Sequence, residues 1–134
     1  MAEYSNKNLI EKLGVKLGAR LIVMRAPKGY IDLLEGLDER ATVVTRLGGR
    51  FGFIQYFAAS SEQLEAVMPN LALHLEPQGM LWVTWAKRTS PLHTGLTESI
   101  VRELGLKAGL VDVKVASITE DWSGLKFVFR LGDR

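Results

Sequence analysis

The residues best suited to bind something lie in three short stretches that each border an apolar run. They are Pro27-Lys28-Gly29, Lys87-Arg88-Thr89-Ser90 and Trp122-Ser123-Gly124. Lysine and arginine attract anions, hydroxyls supply further hydrogen bonds, and an indole offers a flat face to a ring. Just before the second stretch, "GMLWVTWA" places Trp82 and Trp85 three residues apart. The candidate ligand set is therefore Lys28, Trp85, Lys87, Arg88, Ser90, Trp122 and Ser123, suited to a small anionic ligand or an acidic protein partner. Other chemistry has less to work with. With 0 cysteines there is no thiol nucleophile, no disulfide and no cysteine-ligated metal. His74 and His93 are the only histidines and neither has metal-ligand spacing, so no metal is expected. A general base at the rim is one reading of His93, against an ordinary loop histidine. No phosphate-loop or nucleophile-elbow motif occurs, so no catalytic residue is assigned and no cofactor is expected. "WSGLKF" pairs Trp122 with Lys126 as a base-stacking element. The cations are otherwise spread along the chain and the net charge is only +2, which disfavours nucleic acid as the partner.

Local patterns predict the elements that must position these residues. A short helix over Asn6–Leu13, with Ser5 as its cap, precedes the continuously apolar "RLIVMRAP" (20–27), a strand covered on both faces. Tyr30, Leu33, Leu34 and Leu37 then recur at helical spacing. "ATVVTRL" (41–47) and "FGFIQYFA" (51–58) flank a glycine pair and could form a hairpin. Keeping downstream strands in one direction instead requires 41–47 to be short and peripheral, with 51–58 parallel to the first strand. Ser60 and Gln63 have capping-box spacing ahead of a helix that Pro69 should kink or split. "EPQG" (76–79) is expected as a turn into strand 80–86, and Thr94 as the cap of a helix ending near Gly109. "LVDVKVASI" (110–118) and "LKFVFRL" (125–131) both alternate, each with one covered face, and "TEDWSG" between them makes an antiparallel hairpin.

The sum is an α/β three-layer sandwich: a Rossmann-like, mostly parallel sheet closed by a C-terminal antiparallel hairpin. Its 134 residues form a single domain, 1–134, with 47% apolar and 24% charged residues, as in an ordinary globular protein. The polar N-terminus has no signal-peptide core, and no apolar run approaches the ~20 residues that span a bilayer, so a cytoplasmic protein without membrane contact is expected. Side chains alternate across a strand, so Trp82 and Trp85 should serve opposite faces of the sheet. Ligands of open α/β sheets bind outside the carboxyl ends of the parallel strands. An antiparallel last strand begins at that same edge, which brings the Lys28, Lys87 and Trp122 stretches to one rim.

"GMLWVTWAK", "GLVDVKV" and "DWSGLKFVFR" resemble a family of small bacterial proteins carrying a domain of unknown function. The likeness is good over 76–131 and loose over 14–58, and Ala86 stands where members of that family often have proline. "LALHLEPQGMLWVTW" and the closing hairpin are similar, at greater distance, to class I S-adenosylmethionine-dependent methyltransferases. That resemblance implies a last strand inserted beside strand 80–86. It also implies a glycine-rich loop after the first strand and an acidic residue ending the second. This chain has "RAPKGY" at the first place and Thr45 and Arg46 at the second. The expectation is a shortened relative without the cofactor site, leaning away from catalysis. A methyltransferase-like enzyme with an altered loop, or a nucleic-acid accessory protein, is the alternative.

Overall fold

The structure is a computed structural model that describes residues 6–134; the expected Ser5 cap lies outside them. A six-stranded sheet carries the order β2-β1-β3-β4-β6-β5, with β1 Arg20–Met24, β2 Thr42–Val43, β3 Phe51–Phe57, β4 Leu75–Ala86, β5 Leu110–Ser117 and β6 Trp122–Phe129. β2, β1, β3 and β4 are mutually parallel, and β6 is antiparallel to both β4 and β5. The C-terminal hairpin thus inserts its second strand beside β4, as expected. The segment 41–47 contributes only the two-residue edge strand β2, and no hairpin joins it to β3. The return is a loop across the sheet, on which Val44 and Leu47 pack. Arg20 holds that loop by donating from Nη1 to the carbonyls of Gly48 (2.8 Å) and Arg50 (2.9 Å), while its guanidinium lies 4.1 Å from the Phe51 ring centroid.

Both faces of the sheet are covered. α3 (Ser61–Leu73) and α4 (Glu98–Lys107) lie on one face, through Leu64, Met68, Leu71 and Val101. α1 (Asn6–Leu13), a 3-10 turn (Ile31–Leu33) and the single-turn α2 (Leu37–Arg40) lie on the other, through Leu9, Ile10, Leu13, Tyr30, Leu34 and Leu37. Trp82 and Trp85 do face opposite sides. The Trp82 indole is fully buried under α1 and donates from Nε1 to the Leu13 carbonyl at 2.8 Å, whereas Trp85 packs among the α3/α4 side. No helix among the described residues is long and apolar enough to cross a membrane.

Several local expectations are corrected. β1 ends at Met24, before Arg25. The apolar stripe from Tyr30 does not form one helix. Gly36, at φ 79°, breaks it into a 3-10 turn and α2, although Tyr30, Leu34 and Leu37 are buried all the same. Pro69 does not split α3, which runs unbroken to Leu73; proline only leaves the carbonyl one turn earlier without its donor. "EPQG" is no chain reversal but lies within β4. Phe51 pairs with Leu75 and Phe53 with Met80, so residues 76–79 bulge out of the ladder. The cap of α4 is Thr97, whose side chain accepts from the Ile100 amide at 3.3 Å, rather than Thr94. β6 begins at Trp122, and Leu131 lies beyond its end, exposed. Finally, β5 is an edge strand with a bulge between Asp112 and Lys114, and Val113 (53%) and Val115 (51%) are exposed. The bulge breaks the alternation that the sequence pattern assumed, and it twists the edge away from pairing with another chain.

Candidate functional site

The carboxyl ends of β1, β3 and β4 stop at nearly one level, and β6 starts there. Between them opens a cleft of about 520 Å³, within the ~300–1,000 Å³ range of small-molecule sites. Arg25, Ala26 and Pro27 follow β1 on one side of it. Phe57, Ala58 and Ala59 close β3, Ala86 ends β4, and Leu92 and Thr94 descend from the loop ahead of α4. Trp122, the first residue of β6, completes the wall. A smaller space of about 290 Å³ adjoins it beyond Pro27, Leu92 and Trp122, and adds Lys28, Gly29, Leu33 and Asp121.

The floor is rigid. The Trp122 ring meets Phe57 edge-on at 5.1 Å, and Phe57 meets Tyr30 edge-on at 4.8 Å. The Tyr30 hydroxyl donates to Gln55 Oε1 at 2.9 Å, and Gln55 Nε2 donates to Thr84 Oγ1 at 3.1 Å. This buried chain ties the turn after β1 to the middle of β3 and β4. Burial pushes the Tyr30 phenol far above its ordinary range, so it remains a neutral donor. Arg25 is the non-glycine residue with positive φ (60°) among those described. Such a left-handed conformation costs on the order of 1 kcal/mol and directs the chain sharply off the end of β1. Its charge acts on Tyr56, whose phenol is raised by burial and pulled partly back by Arg25.

The expected site residues are only partly brought together. Trp122 and Lys28 line the adjoining spaces. Trp85 does not, because it is 5% exposed and buried among the side chains under α4. Lys87 donates from Nζ to Ser117 Oγ at 2.6 Å, and its amide donates to the Asp121 carbonyl, so it braces the hairpin turn. Ser90 is buried and its Oγ accepts from the Leu92 amide at 3.0 Å, which shapes the 87–93 turn. Arg88 is exposed on that turn, and Ser123 lies within the β6 ladder opposite Trp85 and Ser117; neither lines the cleft. His93 folds back toward the Ala86 carbonyl at 3.5 Å. Lys126 lies four residues along β6 from Trp122, opposite Trp82, and lines a different pocket, so the base-stacking pair is not assembled. Arg25, Ala58, Ala59 and Leu92 are among the lining residues that sequence reasoning missed, whereas Thr94, expected as a helix cap at this edge, does line the cleft. The strand-end rule reaches Arg25 and the small-residue run Ala58-Ala59, but Leu92 carries no local signal.

The sheet order and the closing hairpin have counterparts among solved structures. The chain superimposes with a TM-score of 0.60 on a TehB-like SAM-dependent methyltransferase from Corynebacterium glutamicum, at 13% identity, covering 96% of this chain and 89% of that one. For the N-methyltransferase NodS from Bradyrhizobium japonicum the TM-score is 0.60 at 13% identity, with 91% and 92% covered. For magnesium protoporphyrin IX methyltransferase from Synechocystis, with bound SAH, it is 0.60 at 10% identity, with 93% and 80% covered. No family model matches the chain, and no curated protein matches its sequence. The fold is that of SAM-dependent methyltransferases.

Proposed function

We propose that this chain is a methyltransferase-like domain that takes a small, ring-bearing anionic ligand in the cleft at the carboxyl edge of its sheet. One observation carries the reading. The 520 Å³ cleft coincides with the ends of three adjacent parallel strands, where sheets of this kind hold their ligands. Pro27, Leu92 and the Trp122 indole give a flat ligand apolar walls, and Arg25 and Lys28 flank Trp122 with positive charge. The lining is concave and mostly apolar, which suits a small molecule better than the flat face of a protein partner.

S-adenosylmethionine is the group that this fold suggests, and the residues present do not fit its usual mode of binding. The turn after β1 is Arg25-Ala26-Pro27, with side chains where a backbone approach needs glycines, and Gly29 comes too late. Beyond β2 come Val44, Thr45 and Arg46, so no carboxylate stands there to accept from ribose hydroxyls. The second reading, a methyltransferase with an altered cofactor loop, is favoured by the structural neighbours and by a cleft of nucleoside size.

Calorimetric titration with S-adenosylmethionine, S-adenosylhomocysteine, adenosine and adenosine monophosphate separates the two. Adenosine monophosphate binding that weakens at least tenfold in Trp122→Ala and in Arg25→Ala supports the first. Micromolar binding of S-adenosylhomocysteine with the same losses supports the second. Absence of binding by all four, with unchanged amide resonances at Ala58, Ala86 and Leu92, overturns both.

A further inference from the structure

At the opposite, amino edge of the sheet, Lys16, Lys126 and Arg134 converge on a second pocket, of about 180 Å³, whose wall also includes Gln78 and Gly79. From Met80 to Ala86 the strand rises by about 20 Å, so this pocket is separate from the cleft. Its charges are unusual for a folded surface. Lys16 and Lys126 form no ion pair and donate no hydrogen bond among the described residues. Arg134 spends Nε on the Phe129 carbonyl at 2.8 Å and leaves its terminal amino groups available. Lys114, on the neighbouring strand, pairs with Lys126 in the ladder, which puts a fourth cation beside the group.

The Lys126 side chain is half-buried. It projects from β6 beneath the end of α1, where its ammonium lies 3.7 Å from the Cβ position of Gly14. Its ammonium falls below the ordinary lysine range, first through burial and then through the charges of Lys114 and Lys16. Like charges this close repel one another, and an anion bound among them relieves that repulsion.

We propose that the pocket bounded by Lys16, Lys126 and Arg134 is a binding site for a phosphate-class oxyanion. The chemistry follows from the donors. Two ammonium groups and a guanidinium match a tetrahedral dianion with several acceptor oxygens, and the Gln78 amide adds a neutral donor. A volume of 180 Å³ has room for roughly six water-sized groups, enough for a phosphate and its remaining waters but too little for a buried nucleoside. The site stands independently of the reading for the carboxyl edge.

Titration of the isotope-labelled full chain with inorganic phosphate at constant ionic strength, balanced with chloride, tests the site. A parallel titration with adenosine monophosphate distinguishes the source of the phosphate. Saturating amide shifts confined to the neighbourhood of Lys16, Gly79, Met80 and Val128 are expected. Lys126→Met and Lys16→Gln should each weaken binding at least tenfold, while Lys107→Gln, an equal change of charge on α4, should leave it within twofold. A tenfold advantage for adenosine monophosphate assigns the site to a nucleotide or nucleic-acid phosphate, and equal affinities assign it to the free ion. Shifts that chloride reproduces, or equal affinity in Lys126→Met and Lys107→Gln, overturn the proposal. Lys16→Gln carries the test if Lys126→Met does not fold.

Discussion

Substituting alanine for Gly105 in α4 should destabilise the protein, against the ordinary rule for helices. Glycine inside a helix costs about 1 kcal/mol relative to alanine, so Gly105→Ala would normally be a gain. Here α4 lies so close to β6 that an added Cβ would stand 2.0 Å from Phe127 Cε1, 2.3 Å from Cζ and 2.7 Å from Cδ1. Phe127 cannot swing away, because it is wholly buried between Leu81 on β4 and the α4 side of the core. The helix must lift or the ring must leave its rotamer. Forced overpacking costs about 1–3 kcal/mol, and three contacts this short place the cost at the upper end. After the propensity gain, a net loss of about 2 kcal/mol remains. With an unfolding entropy near 0.28 kcal/mol/K for a chain of this length, Tm should fall by about 7 °C. Scanning calorimetry reads the shift directly. Phe127→Leu in the Gly105→Ala background should recover at least ~1 kcal/mol relative to the sum of the single changes, since the two positions share one contact. A rise in Tm for Gly105→Ala, or additive single and double variants, would refute the reasoning.

Two other perturbations follow from buried or paired polar groups. Tyr30→Phe removes the donor to Gln55 Oε1 and leaves a buried amide oxygen unsatisfied. The expected loss is about 1–2 kcal/mol, seen as a lower urea midpoint; an unchanged midpoint would show that the polar chain under the cleft contributes nothing. The Arg102 guanidinium, 2.9 Å away, holds the Asp112 carboxyl below its usual range. A depressed folded value means stability that is present above the unfolded value of about 3.9 and lost as pH falls through the folded one. Because the pair is at the surface, solvent screens it and that stability is small. Asp112→Asn should lower the urea midpoint slightly near neutrality, where the charged pair contributes, and converge on the parent protein in acid, so that the acid limb flattens; an unaltered acid limb would remove the pair from the account.

Much of the fold was legible because its signals are local. The apolar run at 21–24, the Ser60/Gln63 spacing and the alternation through 125–129 each specify an element within a few residues. The capping residues are where expected: Ser60 Oγ accepts from the Gln63 amide at 3.1 Å, and Gln63 Oε1 accepts from the Ala59 amide at 3.0 Å. What local pattern could not show was how neighbours override it. Gly36 broke a helical stripe without exposing its leucines, and residues 76–79 stayed in a strand because β3 pairs on both sides of the bulge. In the site, Lys28 and Trp122 were reachable from the strand-end rule, but Lys87 and Ser90 hold their own loop, and Leu92 and Thr94 face the cleft only through the path of that loop.

The sequence by itself determined the succession of strands and helices, the opposite facing of Trp82 and Trp85, and the edge at which strand ends gather. Those properties depend on periodicities of two and 3.6 residues, which act over one element at a time. Only the tertiary structure decided that the gathered ends enclose a mostly apolar cleft rather than a cationic rim. It alone brought Lys16, Lys126 and Arg134 to one pocket. Both outcomes depend on distances between residues far apart in the chain, set by strand order and loop height, which no window of neighbouring residues contains.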